Sequence, residues 1–157
     1  MAKGVWIVAE LRDGAFRKVS YELASTARKL ADALGEEVSA VVLGSGVEGN
    51  AGQLGKYGVD KVYVADNAVF EPYTTDAHAA AVAKVVKDND PAILLFAASA
   101  QGKDLSARVV GKLATGMASG WRCSQKSNRK FSFQKASLFM GFKEFWCTRA
   151  RHPAQGH

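Results

Sequence analysis

A three-layer α/β sandwich with a mainly parallel sheet is the fold that residues 1–119 predict, with an irregular tail after it. Three observations carry this reading. Strand-like and helix-like segments alternate four times along the chain. The strand segments are apolar almost throughout, rather than at every second residue, as parallel strands covered on both faces must be. Glycines, a proline and short polar residues fall at the joints between segments, where chain reversals need them. With 157 residues, 48% hydrophobic and 23% charged, the chain is long enough to build one domain with a substantial core.

Val5 to Leu11 is a near-continuous apolar run and reads as the first strand, and Arg12-Asp-Gly-Ala15 reads as a turn. Ser20 is placed to cap a helix that carries Leu23, Ala27, Leu30, Ala31 and Leu34 on one face and stops at Gly35. Val38 to Leu43 is the second strand. A short helix, Val47 to Tyr57, closes at Gly58, and Lys61 to Ala65 is the third strand. Asp66 to Pro72 connects to a helix capped by Thr74 or Thr75, with Ala79, Val82, Val85 and Val86 facing inward. Pro91 disfavours helix in the residue before it and ends this segment. Ala92 to Ala97 is the fourth strand, and Gly102 to Leu113 the fourth helix. Four strand–helix units in series call for a parallel sheet with helices on both faces.

The formal charge of +6 is unevenly distributed. Residues 1–120 hold thirteen Lys/Arg and fourteen Asp/Glu, a net −1, whereas residues 121–157 hold eight Lys/Arg against Glu144 alone, a net +7. The basicity that would suggest nucleic acid or an anionic membrane belongs to the tail, so the body is expected to bind neither. No run approaches the ~20 apolar residues of a membrane span. The N-terminal residues lack a basic-then-apolar leader and an Arg/Ser-rich transit pattern. A cytoplasmic, prokaryotic protein is expected. Two cysteines, Cys123 and Cys147, do not make a secreted disulfide framework.

The character of the chain changes at Trp121. Five of eight Phe and two of three Trp fall in the last 37 residues, without a period of 3.6 or 2. Three readings stand: a solvated extension, a basic aromatic element for nucleic acid or membrane, or a segment translated out of frame. Its exposed aromatics would promote non-specific association.

No catalytic or metal constellation emerges. Gly44-Ser-Gly-Val-Glu-Gly49 fits G-x-G-x-x-G between a strand and a helix, with Asp66 near the position of a ribose-binding acid. Against a dinucleotide site, the motif follows the second strand, and Glu48 puts negative charge where a pyrophosphate would sit. Gly44, Gly46 and Gly49 therefore read as turn residues or as a weak anion loop. Ala98-Ser-Ala-Gln-Gly102 is a second strand-to-helix loop. Its amides, with Ser99 and Lys103, would hold an anion, unless Ser99 caps the helix and Lys103 is solvated. His78 lacks a second ligand at i+3 or i+4, and His152, His157 and Cys147 fit no zinc spacing.

Leu94 to Ser119, with Gly102-Lys-Asp-Leu105 opening a helix and Thr115-Gly-Met-Ala-Ser119 following it, resembles the N-terminal domain of the electron-transfer flavoprotein alpha subunit. Gly4-Val-Trp-Ile-Val-Ala-Glu10 is similar to that family's first strand, and Tyr57 to Asp66 to its third. The resemblance covers residues 3–119. It implies a Rossmann-like fold and a heterodimer with a beta subunit that carries electrons from dehydrogenases. It also implies an FAD gripped mainly by a C-terminal domain of alpha that no position here matches. The fragment is then a non-catalytic scaffold, not redox-active alone and not expected to hold FAD. The alternative is a free-standing α/β nucleotide-binding module that uses Gly44 to Gly49 or Ser99 to Lys103.

The family pattern also speaks to residues 120–157. Removing one G from a permitted encoding of Gly120-Trp-Arg-Cys123 yields Asp-Gly-Val-Ala, close to the family's Ser-Asp-x-x-Ala. In the same shifted frame, Phe133 to Leu138 reads Phe-Arg-Arg-Pro-Val-Tyr, close to the family's Phe-Thr-Arg-Pro-Val-Tyr. The match fails farther on, where Met140 forces a Trp codon. A domain over 1–119 and an out-of-frame tail over 120–157 are the expectation.

Overall fold

A computed structural model of the protein describes residues 3–126 and 130–141, with side-chain surroundings for 3–117. Strand β1 (Val5–Ala9) leads into a small hairpin of β2 (Leu11–Arg12) and β3 (Ala15–Phe16), and then helix α1 (Lys18–Leu34). Strand β4 (Val38–Gly44) is followed by one turn of helix, α2 (Glu48–Ala51), and a 3₁₀ segment, Gly52–Tyr57. Strand β5 (Lys61–Asp66) and a 3₁₀ turn, Ala68–Phe70, precede α3 (Thr75–Asn89). Strand β6 (Ile93–Phe96) and α4 (Ala100–Leu113) follow, then β7 (Ala118–Lys126) and β8 (Lys130–Gly141). The six-stranded sheet has the order β5-β4-β1-β6-β8-β7. The first four are mutually parallel, and β8 and β7 are antiparallel additions.

The apolar strands are explained by burial on both sides. In β1, Val5, Ile7 and Ala9 face α1, where they meet Leu23, Ala27, Leu30 and Ala31 together with Leu54 of the 3₁₀ segment. Trp6 and Val8 face the other way, onto Ala79, Val82 and Val86 of α3 and Leu105 and Val109 of α4. β4 and β6 divide their side chains in the same way, Val42 and Ile93 to the first face, Val41 and Leu94 to the second. A strand with water on one side would need polar residues at alternate positions; these have no such side.

The N-terminal ends of the strands are fastened by charge. Arg28 of α1 bonds Asp60 at 2.8 Å, Asp32 at 2.7 Å and the Glu36 carbonyl at 3.1 Å, and Asp60 in turn accepts the Val38 amide. Gly35 ends α1 in the left-handed conformation that its position requires. The hairpin turns on Asp13 and Gly14, both at positive φ, which matches the right-handed twist of its strands.

Several boundaries differ from the sequence expectation. β1 stops at Ala9, because the hairpin begins at Leu11. Ser20 does not cap α1. Arg17 holds that position, and Ser20 lies one turn inside, fully buried. Within 47–57 only Glu48–Ala51 are α-helical, Val47 is their N-cap, and Gly52–Tyr57 tighten to 3₁₀. Thr74 occupies the N-cap of α3 without a side-chain bond, and the Thr75 hydroxyl donates instead to Asp104 of α4. α4 begins at Ala100, two residues earlier than expected, because Ser99 caps it. The irregular tail expected after residue 119 is replaced, over 118–126 and 130–141, by a paired backbone. Main-chain ladders need no side-chain period, so this pairing is not visible in the residue pattern. His152, His157, Cys147 and the rest of 142–157 lie outside the described residues.

Candidate functional site

Strand order reverses between β1 and β6: the chain builds outward through β4 and β5, then returns to the far side of β1. Loops after the strands diverge at such a point and leave a crevice at the carboxyl ends of the sheet. A cavity of about 550 Å³ lies there, bordered by Glu10 and the hairpin residue Arg12, by Arg17, by Gly44 after β4, by His78 of α3 and by Gln101 of α4.

Glu10, directly after β1, is the most heavily tied residue of this cavity. Its backbone N–H donates to Ser20 Oγ at 2.8 Å, and the Ser20 hydroxyl donates back to its carbonyl at 2.9 Å. Its side chain is only 4% exposed. Arg17 Nη1 donates to Oε2 at 2.7 Å, and the Ser99 hydroxyl donates to Oε1. Ser99 Oγ also accepts the Gly102 amide at 2.9 Å, which makes it the N-cap of α4. Gly102 is required by this crowding. A Cβ there would lie 2.1 Å from the Ala97 carbonyl oxygen and 2.9 Å from Glu10 Oε1. The result is a carboxylate seated at the start of α4, where the helix dipole favours negative charge.

The glycine-rich loop after β4 is arranged in the same sense. Gly44 pairs with Asp66 across β4 and β5. The Asp66 carboxylate turns back and accepts the amides of Gly46 and Val47, both at 2.8 Å. Gly46 needs its freedom, with φ at +66°, and a Cβ on Gly44 would strike Val47 at 2.5 Å. Gly49 has open space around it. Asp66 is thus placed on the loop's own amides, in the position of an anion rather than of a ribose-binding acid.

The outer wall of the cavity is aromatic. His78 is buried, with its ring 5.1 Å from Phe70 and 4.7 Å from Tyr73, and its Nδ1 lies 2.8 Å from the Thr74 carbonyl. Burial lowers its pKa below the usual histidine value, against a smaller upward pull from the Thr74 carbonyl. Burial likewise raises the Tyr73 hydroxyl, whose neighbours include Asp104. Neutral imidazole and neutral phenol are the forms this wall holds near pH 7.

Of the residues singled out in the sequence, Gly44 borders the crevice, Ser99 reaches it only through its bond to Glu10, Gly46 lies in the loop after Gly44, and Gly49 and Lys103 are exposed on α2 and α4. The sequence reading missed Glu10 and Arg17. Its one available signal was an acid closing an apolar run at a strand end. Among the described residues, no three His, Cys, Asp or Glu gather as a metal site, and no helix is long and apolar enough to cross a membrane.

Comparison with known proteins places this architecture. The family model described as electron transfer flavoprotein domain matches residues 5–121. An electron transfer flavoprotein subunit alpha from Syntrophomonas wolfei is 44% identical over 115 residues, covering 73% of this chain and 35% of that protein. A protein FixB from Clostridium saccharobutylicum is 44% identical, over 73% of this chain and 34% of its own length. An acryloyl-CoA reductase electron transfer subunit beta from Anaerotignum propionicum is 39% identical over 73% of this chain and 31% of its own. The chain thus spans about a third of the length of these relatives. It belongs to the electron transfer flavoprotein domain family, among relatives named as alpha subunits and FixB.

Proposed function

We propose that residues 1–119 are the scaffold domain of an electron transfer flavoprotein alpha subunit, which docks a beta-type subunit and does not itself grip the flavin. The carrying observation is the state of the two strand-to-helix loops. A pyrophosphate needs backbone amides at a helix start. Here Asp66 takes the Gly46 and Val47 amides, and Glu10, through Ser99, sits at the start of α4. FAD therefore does not suit the described residues, and no electron-transfer step is derived through it. Electron transfer from dehydrogenases then belongs to a heterodimer in which this domain is a platform.

We read residues 120–157 as out of the family's frame, although the backbone of 130–141 pairs with β6. The loss of acids and the gathering of aromatics from Trp121 support this, as does a family match that stops at residue 121. Sequencing the gene across the codons for Gly120 to Leu138 tests it; an adjacent frame with no family-like reading would refute it. The docking role is tested by mixing the purified chain with a beta subunit from the same source and measuring mass by analytical ultracentrifugation. A one-to-one complex is expected. Two separate species, with tight nucleotide binding by this chain alone, would favour a free-standing nucleotide module instead.

A further inference from the structure

The cavity at the strand ends has the dimensions of a ligand site and the chemistry of a closed one. At ~550 Å³ it lies within the range of small-molecule pockets. Its border carries a group suited to a phosphate, the Arg17 guanidinium, 39% exposed, and the Ser99 hydroxyl lies just behind that border on Glu10. Both are engaged by one carboxylate, whose two oxygens are each partnered and whose side chain is all but removed from water.

We propose that Glu10 is an autoinhibitory anion, a built-in carboxylate that occupies the phosphate position of this cavity and keeps phosphate-bearing ligands out. Two negative groups sharing one guanidinium and one hydroxyl repel each other at short range, and burial weakens the screening that would soften this. Asp66 does the same at the glycine loop after β4, so the pattern is repeated at a second strand end. Removing the charge of Glu10 leaves the Arg17 guanidinium without its carboxylate beside an open volume. The variant then gains what the native chain lacks, affinity for a phosphate group. This inference concerns the cavity alone and does not depend on the docking role.

The test uses the full chain and the Glu10→Gln and Glu10→Ala variants, melted with and without inorganic phosphate and, separately, with AMP. Phosphate salts stabilise proteins in general, so the reading is the variant's shift minus that of the native chain. A dissociation constant of a few millimolar would give an excess rise of roughly 5–10 °C in ~100 mM phosphate. Adding Arg17→Gln to either variant should abolish the excess. A variant that melts cooperatively only when phosphate is present also supports the proposal. Equal shifts in the native chain and both variants overturn it, as does a variant that phosphate fails to restore. A native chain that binds phosphate or AMP as tightly as Glu10→Gln overturns it too.

Discussion

Gly102→Ala and Gly111→Ala are the same change on the same helix, and the structure gives them opposite signs. Both residues lie inside α4. Alanine is favoured over glycine in a helix interior by about 1 kcal/mol. At Gly111 a Cβ meets nothing within 4 Å, so that gain stands undiminished. At Gly102 the added carbon would lie 2.1 Å from the Ala97 carbonyl oxygen, whereas real Cβ atoms essentially never come closer than 3.0 Å. The obstacle is backbone and cannot rotate away, so α4 must move off β6 by nearly the missing ångström. That movement strains the Ser99 cap and the Glu10 contact. Overpacking of this kind costs about 3 kcal/mol, leaving a net loss of about 2 kcal/mol once the propensity gain is subtracted. Urea titrations of the full-length variants, followed by circular dichroism with a shared slope, would measure both. The expectation is a midpoint below the native one for Gly102→Ala and above it for Gly111→Ala, a separation of about 3 kcal/mol. A Gly102→Ala variant as stable as the native chain would refute the close approach of α4 to the end of β6.

Ser20→Ala should cost about 1–3 kcal/mol in the same titration, because it strands the buried Glu10 amide that the hydroxyl accepts. Asp66→Asn should lose about 1 kcal/mol, since a neutral acceptor replaces a charged one on the Gly46 and Val47 amides. Hydrogen exchange at those two amides should accelerate with it. For His78 the folded-state pKa lies below that of the unfolded chain. The unfolded state then binds the proton first as pH falls. Its contribution to stability is complete above about pH 6.5 and is lost as pH drops through the folded-state value. His78→Gln should flatten that part of the stability–pH curve, and an unchanged slope would show that His78 titrates normally.

Local chemistry was legible, and long-range chemistry was not. The apolar runs at Val5, Val38 and Ile93 announced parallel strands buried on both faces, and Gly35 and Gly58 marked stops at which the chain does turn left-handed. Ser99 read correctly as a cap because that role involves only the next three residues. Glu10 was invisible as a hub, because its partners include Ser99, 89 positions away. Ser20 looked like a cap by its type and place before a helical period. Only the packing of α1 on β1 shows that its hydroxyl serves another backbone. Asp66 was noticed, but its task depends on the register that sets it opposite Gly44. The pairing of 118–126 with 130–141 left no trace in hydrophobic periodicity.

The central claim is that this domain is a platform whose own loops do not hold a flavin nucleotide. Titrating the full-length chain alone with FAD, followed by flavin fluorescence and by the absorption of the desalted protein, tests it most directly. The account predicts a colourless protein and no saturable change in fluorescence. A yellow protein that keeps stoichiometric FAD through desalting would contradict it.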